Sequence, residues 1–195
     1  MQSYKQLPIR MNIYKKPIIE MKAIVYKELG VAKVVDRPVP KLRDDYILIK
    51  VVAIALNPTD WKHIEGGIAV PDCICGVDYA GIVEEVGSKV TKDFKKGDRI
   101  AGWASGANAS NTEDGAFAEY IVAKGDIQIK VPENLSFLEA ASLGCGVSTV
   151  GQGLYEPFYG MELSPPSQPI SKPERILVYG GSTATGTLGI QFLKS

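Results

Sequence analysis

The sequence predicts an α+β, mainly β fold, in which a partly open β-barrel precedes the first β-α unit of a nucleotide-binding domain. Short segments rich in β-branched residues recur between residues 22 and 131, with glycine and proline at turn-like intervals. Helical signals begin only after Pro132. The last part of the chain joins a short apolar segment directly to a turn of small residues, as nucleotide-binding β-α units do.

The barrel strands are the recurring β-branched segments, each bounded by turn-forming residues. They are expected at residues 22–27, 31–36, 46–55, 79–86, 98–103, 116–122 and 127–131. Ser136 and Glu139 then form a capping box, which predicts the start of a helix. A second helix is expected over 147–155, and the proline-rich stretch 164–173 is typical of an exposed linker.

Composition excludes several classes of protein. The chain has 22 Lys and Arg against 22 Asp and Glu, so a basic surface for nucleic acid or an anionic membrane is not expected. The longest apolar run, residues 47–56, contains Lys50 and is too short to span a bilayer. Three cysteines without a secretory signal predict a cytoplasmic location rather than disulfides. A single histidine argues against histidine-based metal sites and nucleophiles.

The first twenty residues differ in composition from the rest. They carry four basic residues and no acid before Glu20, which is one feature of a transit peptide. Two prolines, a single serine and the lack of an amphipathic period argue against targeting. We expect a flexible N-terminal extension, or an early start, ahead of Met21.

The C-terminal segment carries the most specific chemistry. Residues 175–179 (RILVY) predict a strand buried on both faces of a parallel sheet, and residues 187–195 predict the following helix. The turn between them, 180–186 (GGSTATG), would present free backbone amides to a pyrophosphate. An ordinary tight turn is the alternative, because a glycine-rich turn alone is a weak signal.

Each glycine and each hydroxyl residue of this turn has a predicted role. Gly180 permits a tight turn, and Gly186 and Gly189 are expected on the helix face that approaches the strand. Hydroxyl donors for phosphate oxygens come from Ser182, Thr183 and Thr185. Thr183 occupies the usual middle-glycine position, so the fingerprint is a variant one.

Together these features resemble the medium-chain dehydrogenase/reductase superfamily, whose members place a GroES-like barrel before a Rossmann-like domain. The motifs that carry the resemblance are 81–100 (GIVEEVGSKVTKDFKKGDRI), 114–123 (DGAFAEYIVA) and 180–191 (GGSTATGTLGIQ). The resemblance covers roughly residues 21–195. It implies an N-terminal extension at 1–20, a GroES-like catalytic domain at 21–145, a connecting helix and Pro-rich loop at 146–174, and a truncated start of an NADP-binding domain at 175–195.

Departures from the zinc-containing alcohol dehydrogenases predict a branch without metal. Those enzymes carry a cysteine where this chain has Asn57, and a histidine where it has Val77. Neither side chain can replace the thiolate or imidazole that zinc requires. Cys145 matches the third ligand position, but without its partners it is expected to be a small buried apolar residue. The Cys73–Cys75 pair has no further ligands at suitable spacing.

Within that branch the chain is most similar to fungal stand-alone enoyl reductases of the toxin-cluster type, which serve polyketide synthases in trans. The similar segments include 56–62 (LNPTDWK), 143–154 (LGCGVSTVGQGL) and 179–187 (YGGSTATGT). The resemblance implies NADPH as cofactor and a small-molecule or carrier-protein-bound enoyl thioester as substrate. It also implies a polyketide synthase as partner.

The resemblance further implies two groups of site residues. The cofactor contacts would be Thr59, Asp60, Trp61, Lys62, Ser182, Thr183, Ala184 and Thr185. The substrate cleft would be lined by Leu143, Gly144, Cys145, Gly146, Val147, Ser148, Thr149 and Val150. The alternatives are a solvated helix-end lysine at 62 and plain helix capping by the hydroxyls at 148 and 149. His63 is expected to be a surface histidine outside the site.

The implied reaction passes a hydride to the β-carbon, and an enolate-like oxyanion forms at the thioester. The protein would orient the reacting carbons and donate a hydrogen bond to that oxygen. Thr149 is the candidate donor, with a nearby backbone amide as the alternative, and water can supply the final proton. This chemistry needs little acid–base machinery, which agrees with the single histidine.

Two rival functions remain at this point. A zinc-less quinone or enone reductase would carry the same motifs, and a truncated, inactive barrel could act only as an interaction module. A doubly wound domain needs about six strands, of which the chain supplies one. We therefore expect the 195-residue polypeptide alone to bind NADPH poorly and to turn over little.

Overall fold

The computed structural model describes residues 20–158, 160–168 and 175–194. Within these residues, β-strands dominate the first part and helices follow. The elements are β1 (Glu20–Glu28), β2 (Val31–Pro38), β3 (Tyr46–Ala55), α1 (Pro58–Glu65), β4 (Asp78–Val86), β5 (Arg99–Trp103), β6 (Tyr120–Lys124), β7 (Ile129–Lys130), α2 (Phe137–Ala141), α3 (Gly144–Tyr155) and α4 (Ala184–Lys194). Residues 1–19 of the expected extension and the second half of the expected linker, 169–173, lie outside the described residues.

Two antiparallel sheets form the barrel. The first is the β1-β2 ribbon, and the second has five strands in the order β6-β3-β4-β5-β7. Hydrogen bonds join the ribbon to the rest, since the amide of Ile24 donates to the Phe117 carbonyl at 2.8 Å and the amide of Cys75 donates to the Ile24 carbonyl at 2.9 Å. The mainly β architecture predicted from the sequence is therefore confirmed.

Two strands are shorter than predicted, because some of their residues form other hydrogen bonds in place of those between strands. The strand expected at 116–122 begins only at Tyr120, because the amides of Ala116 and Phe117 donate to the carbonyls of Gly76 and Cys75. The strand expected at 127–131 shrinks to two residues, because a 3₁₀ turn at Gly125–Ile127 occupies its start.

The prediction of a strand at 175–179 is wrong for the described structure. Residues 175–178 have no regular secondary structure, and none of the described strands pairs with them. A strand is stabilised by hydrogen bonds to a neighbouring strand, so an apolar pattern alone does not produce one. Leu177 and Tyr179 are consequently 90% and 100% exposed. The helix predicted after the turn is observed as α4.

The core positions the start of α3. Ile47, Ile49 and Tyr79 are fully buried inside the barrel. On the other face of the sheet lies a layer of alanines, which permits close packing of α2. Those alanines are Ala53, Ala80, Ala101, Ala140 and Ala141. Because α3 begins three residues after α2 ends, its first turn lies beside β4 and β5.

The helices confirm the capping prediction. Ser136 accepts a hydrogen bond from the amide of Glu139, whose carboxylate accepts from the Ser136 amide in return. The helix expected at 147–155 starts earlier, at Gly144. Among the helices of the described residues, none has the length and apolarity needed to cross a membrane.

Candidate functional site

Asp78 joins three elements at the end of the barrel. It is the first residue of β4 and only 1% exposed. Its Oδ2 accepts a hydrogen bond from Nδ2 of Asn57, which precedes α1, at 2.9 Å. Its Oδ1 accepts from the amide of Cys145, in the first turn of α3, at 2.5 Å. We call the three groups the Asp78 junction.

The junction occupies the place where a metal was considered from the sequence. Asn57 and Cys145 come together there, but both present hydrogen-bond donors to the carboxylate of Asp78. Burial, followed by the nearby charge of Asp78, raises the pKa of the Cys145 thiol, which disfavours the thiolate that zinc binds. In the described part of the chain, no group of three or more His, Cys, Asp or Glu side chains could hold a metal ion.

Gly144 makes the close approach of α3 possible. A Cβ at this position would overlap the carbonyl group of Gly102 on β5 and lie 2.7 Å from Oδ1 of Asp78. Only a residue without a side chain lets the helix start so near the sheet. Gly144 was predicted as a substrate contact. The structure shows it as a buried packing position between α3 and β5.

Asp60 holds the other side of Asn57. Its Oδ2 accepts a hydrogen bond from the Asn57 amide at 2.7 Å, as in a capping box at the start of α1. Its Oδ1 is buried and has no partner among the described residues. Burial raises the pKa of the Asp60 carboxyl, and burial likewise raises the pKa of Asp78 against the opposing effect of its hydrogen bonds.

The remaining predicted cofactor contacts of α1 point away from this buried cluster. Trp61 is 51% exposed, and the ammonium of Lys62 lies 5.6 Å from the Trp61 ring centre. The Thr59 carbonyl accepts a hydrogen bond from Nδ1 of His63 at 2.7 Å. His63 was expected to be a surface histidine, and the structure instead shows it half-buried against its own helix.

The predicted substrate segment forms the first two turns of α3. The Thr149 hydroxyl donates to the carbonyl of Cys145 at 2.7 Å, so it must turn away from the helix before it can donate elsewhere. Ser148 is exposed, and Val150 is buried. Capping was the alternative for these hydroxyls, but the Thr149 hydroxyl donates to the carbonyl four residues earlier inside the helix, which is not a cap.

The turn before α4 is built by two glycines and a threonine. Gly180 has a φ of +83°, which a residue with a side chain adopts only under strain. A Cβ on Gly186 would overlap the carbonyl of Gly180. Thr183 caps the helix, because its Oγ accepts from the Gly186 amide at 3.0 Å and donates to the Gly180 carbonyl at 2.8 Å. Gly189, by contrast, has open space around it, so the close approach predicted there is not observed.

This turn can accept an anion at the start of α4. The amides of Ala184 and Thr185 have no acceptor within the described residues. The side chain of Thr183 is occupied by capping, whereas Ser182, Ala184 and Thr185 are exposed. Free first-turn amides beside an exposed hydroxyl fit a phosphate group.

A cleft of about 390 Å³ brings the turn and α3 together. Thr149 and Val150 line it on one side, and Thr183 and Thr185 line it on the other. The cleft does not include the predicted contacts of α1, nor Leu143 to Ser148 at the start of α3. The structure therefore joins one threonine of the predicted substrate segment to the predicted phosphate turn.

Sequence reasoning missed Asp78 as a functional candidate. It treated residues 76–78 (GVD) only as a motif that had lost its zinc ligands. The available signal was an acid inside a segment of small and apolar residues, which predicts burial and therefore a partner. The identity of its partners, 21 and 67 residues away, required the fold.

We expect Asp60→Asn to flatten the pH dependence of folding stability. A carboxyl whose pKa is raised by burial binds a proton more tightly when folded, so its contribution to the free energy of unfolding increases as pH falls toward its usual pKa of 3.8. The amide removes this titration. Urea unfolding between pH 4.5 and 7.5 should show a smaller rise in stability for the variant than for the parent.

Asp126→Asn is the matched control for this test. Hydrogen bonds from the amides of Thr91 and Lys92 lower the pKa of Asp126, so its stabilising effect is present above the usual pKa and is lost only as pH falls through the lowered value. The control should leave the slope in this pH range unchanged. An unaltered slope for Asp60→Asn would contradict the assignment of Asp60 as a group with a raised pKa.

Comparison with known proteins adds independent findings. Residues 43–133 match the alcohol dehydrogenase GroES-like domain family. The chain is 60% identical over 174 residues to the trans-enoyl reductase TOXD of Cochliobolus carbonum, a match that covers 89% of this chain and 57% of that protein. The chain thus spans about half the length of the curated relatives it matches.

Solved structures show the same fold. A quinone oxidoreductase from Coxiella burnetii is 34% identical with a TM-score of 0.68, and the match covers 90% of this chain and 53% of that one. A mycobacterial protein solved in complex with NADPH is 28% identical with a TM-score of 0.65, covering 88% and 48% of the two chains.

Proposed function

Because this chain is a homologue of the fungal trans-enoyl reductases within the medium-chain dehydrogenase/reductase superfamily, we propose that it serves NADPH-dependent reduction of an enoyl thioester. The substrate would be held on the carrier protein of a polyketide synthase, in the cytoplasm. The observation that carries the proposal is the cleft in which Thr149 faces the turn before α4. It brings a hydroxyl donor close to a site that fits the phosphates of a nucleotide.

The chain's own residues would perform binding and orientation. The free amides of Ala184 and Thr185 and the Thr185 hydroxyl would hold the pyrophosphate at the start of α4. NADPH, when bound, supplies the hydride for the β-carbon of the substrate. Thr149 would rotate from the Cys145 carbonyl and donate to the thioester oxygen, where negative charge develops. Val150 and Leu154 would provide an apolar wall that excludes water.

A quinone or small enone reductase is the second candidate. The 34% identity to a quinone oxidoreductase over nine-tenths of this chain favours it. The two candidates differ in the substrate, since a free quinone or enone needs no carrier protein. Competition between substrate classes therefore separates them.

The decisive test transplants residues 21–195 into TOXD, in place of the matching segment of that relative. We expect the chimera to oxidise NADPH with a carrier-bound enoyl thioester and to do so more slowly with free enones or quinones. Thr149→Val should lower kcat by about 10²-fold or more, because one donor to an oxyanion typically contributes that much. Thr149→Ser keeps the hydroxyl and is the matched control.

Two results would contradict the proposal. A folded chimera that reduces neither substrate class would remove the reductase assignment and support an interaction module, and a preference for quinones would favour the second candidate. The polypeptide by itself is expected to bind NADPH poorly, since α4 and the turn before it would form only a small part of a doubly wound nucleotide-binding domain.

A further inference from the structure

We propose that Asp78 is a positioning residue whose carboxylate fixes α1 and α3 relative to one another. The catalytic consequence rests on the proposed function, because α1 carries predicted cofactor contacts and α3 carries Thr149. The tie between the two helices rests on the geometry of the Asp78 junction alone. It assigns a task to a buried acid that the proposed reaction does not itself use.

The two carboxylate oxygens of Asp78 accept from donors on different elements. Oδ1 accepts from the first turn of α3, and Oδ2 accepts from the residue that precedes α1. The donors are separated by 88 positions along the chain, from Asn57 to Cys145. One carboxylate therefore connects two helices, and the described residues of these helices form no backbone hydrogen bond with each other.

The carboxylate of Asp78 is held rigidly by its surroundings. Asp78 begins β4, and its neighbour Tyr79 is fully buried in the barrel core. Oδ1 lies against the first turn of α3, where only Gly144 leaves room for it. The side-chain amide of Asn57 is held in place as well, because the backbone amide of the same residue donates to Asp60. Each of the three groups is held by a contact outside the junction. The positions of both helices therefore follow the position of the barrel strand that carries Asp78.

The charge of the Asp78 carboxylate depends on both of its donors. A buried carboxylate is stable only when hydrogen-bond donors compensate for lost hydration. Here the amide of Cys145 adds the positive end of the α3 dipole, and Asn57 adds a neutral donor. If the role of Asp78 were only to cap α3, Asn57 could be changed without consequence. Coupling between positions 57 and 78 is therefore the distinguishing prediction.

The test exchanges the two side chains. Asp78→Asn places an amide group against the Asn57 amide, so the bond between them survives only if the Asn57 amide turns over and gives up the capping contact of its oxygen with the first turn of α1. Asn57→Asp places two carboxylates together, so the bond between positions 57 and 78 is lost as long as both are ionised. In the double variant Asn57→Asp/Asp78→Asn, the new Asn donates to the new Asp and still accepts from the Cys145 amide, so both bonds can form again.

Hydrogen exchange in the 195-residue chain gives the first readout. We expect the Cys145 amide and the amides of α1 to exchange about tenfold faster in each single variant, which corresponds to about 1.4 kcal/mol. The double variant should return to within about threefold of the parent. Asp126→Asn, which alters a surface carboxylate bonded to Thr91 and Lys92, should leave these amides unchanged. Single variants with parental exchange, or a double variant that stays as fast as the singles, would overturn the proposal.

The TOXD chimera described above gives the second readout. We expect each single substitution to lower kcat/KM at least tenfold, and the double variant to recover most of the loss. A chimera without any reductase activity would refute the proposed function. The hydrogen-exchange result would then decide by itself whether Asp78 fixes α1 and α3 relative to one another. An active chimera whose single variants keep parental kcat/KM would overturn the positioning role.

Discussion

Gly144→Ala is expected to destabilise the protein by about 3 kcal/mol or more. The added methyl would overlap the Gly102 carbonyl of β5 and approach Oδ1 of Asp78 to 2.7 Å. Neither neighbour can move aside, because β5 is an inner strand of the five-stranded sheet and Asp78 is held by two donors. The helix would have to shift, and the bond from the Cys145 amide to Asp78 would break.

Gly151→Ala is the matched control in the same helix. Position 151 has open space where a Cβ would be placed, so no overlap arises. Alanine is favoured over glycine inside a helix, and we expect the control to stabilise the protein by about 0.5–1 kcal/mol. Urea unfolding of both variants measures the difference. Equal effects of the two substitutions would mean that α3 does not pack against β5 as described.

Gln128→Met is expected to destabilise the protein by about 4 kcal/mol. Gln128 is fully buried, and its Oε1 accepts from the Tyr79 hydroxyl at 2.7 Å. Its Nε2 donates to the carbonyls of Trp103 and Lys124 at 3.1 and 2.9 Å. Methionine has a similar length but makes none of these bonds, so one buried hydroxyl and two carbonyl groups lose their partner.

A double-mutant cycle with Tyr79→Phe tests this network. Tyr79→Phe removes the hydroxyl that Gln128→Met would strand, so the double variant should cost about 1 kcal/mol less than the sum of the single variants. Gln152→Met, at an exposed position of α3, is the control for the amino-acid change and should cost less than 0.5 kcal/mol by the usual behaviour of surface sites. Strict additivity of the two buried substitutions would show that their side chains do not interact.

Local patterns in the sequence were sufficient where the signal was local. The bounds of β3 were predicted correctly because a long β-branched segment ends at a proline-containing turn. The Ser136 capping box was found because its two residues lie three positions apart. The role of Gly180 was assigned correctly because the turn it builds is contained within seven residues. Gly186 makes a close approach as predicted, but to the Gly180 carbonyl of the turn rather than to a strand.

Predictions failed where a neighbour in space decides the outcome. Residues 175–179 have the composition of a buried strand, yet no ladder forms because none of the described strands lies beside them. Gly189 was predicted to approach that strand and instead faces open space. The segment at 116–119 has strand composition but divides its hydrogen bonds among Gly76, Cys75, β1 and β3, so it does not pair continuously along one strand.

The sequence by itself determined the mainly β architecture, the Asn and Val at positions 57 and 77, and the tight turn at Gly180, because each depends on residue type at short spacing. Tertiary structure alone decided that Asp78 meets Asn57 and Cys145, and that Thr149 and Thr185 line the same cleft. These contacts join residues far apart in the chain, and their energies come from burial and hydrogen bonding that no local pattern encodes. The residue types at positions 57 and 77 are visible in the sequence, whereas the carboxylate that connects Asn57 to Cys145 is visible only in the fold.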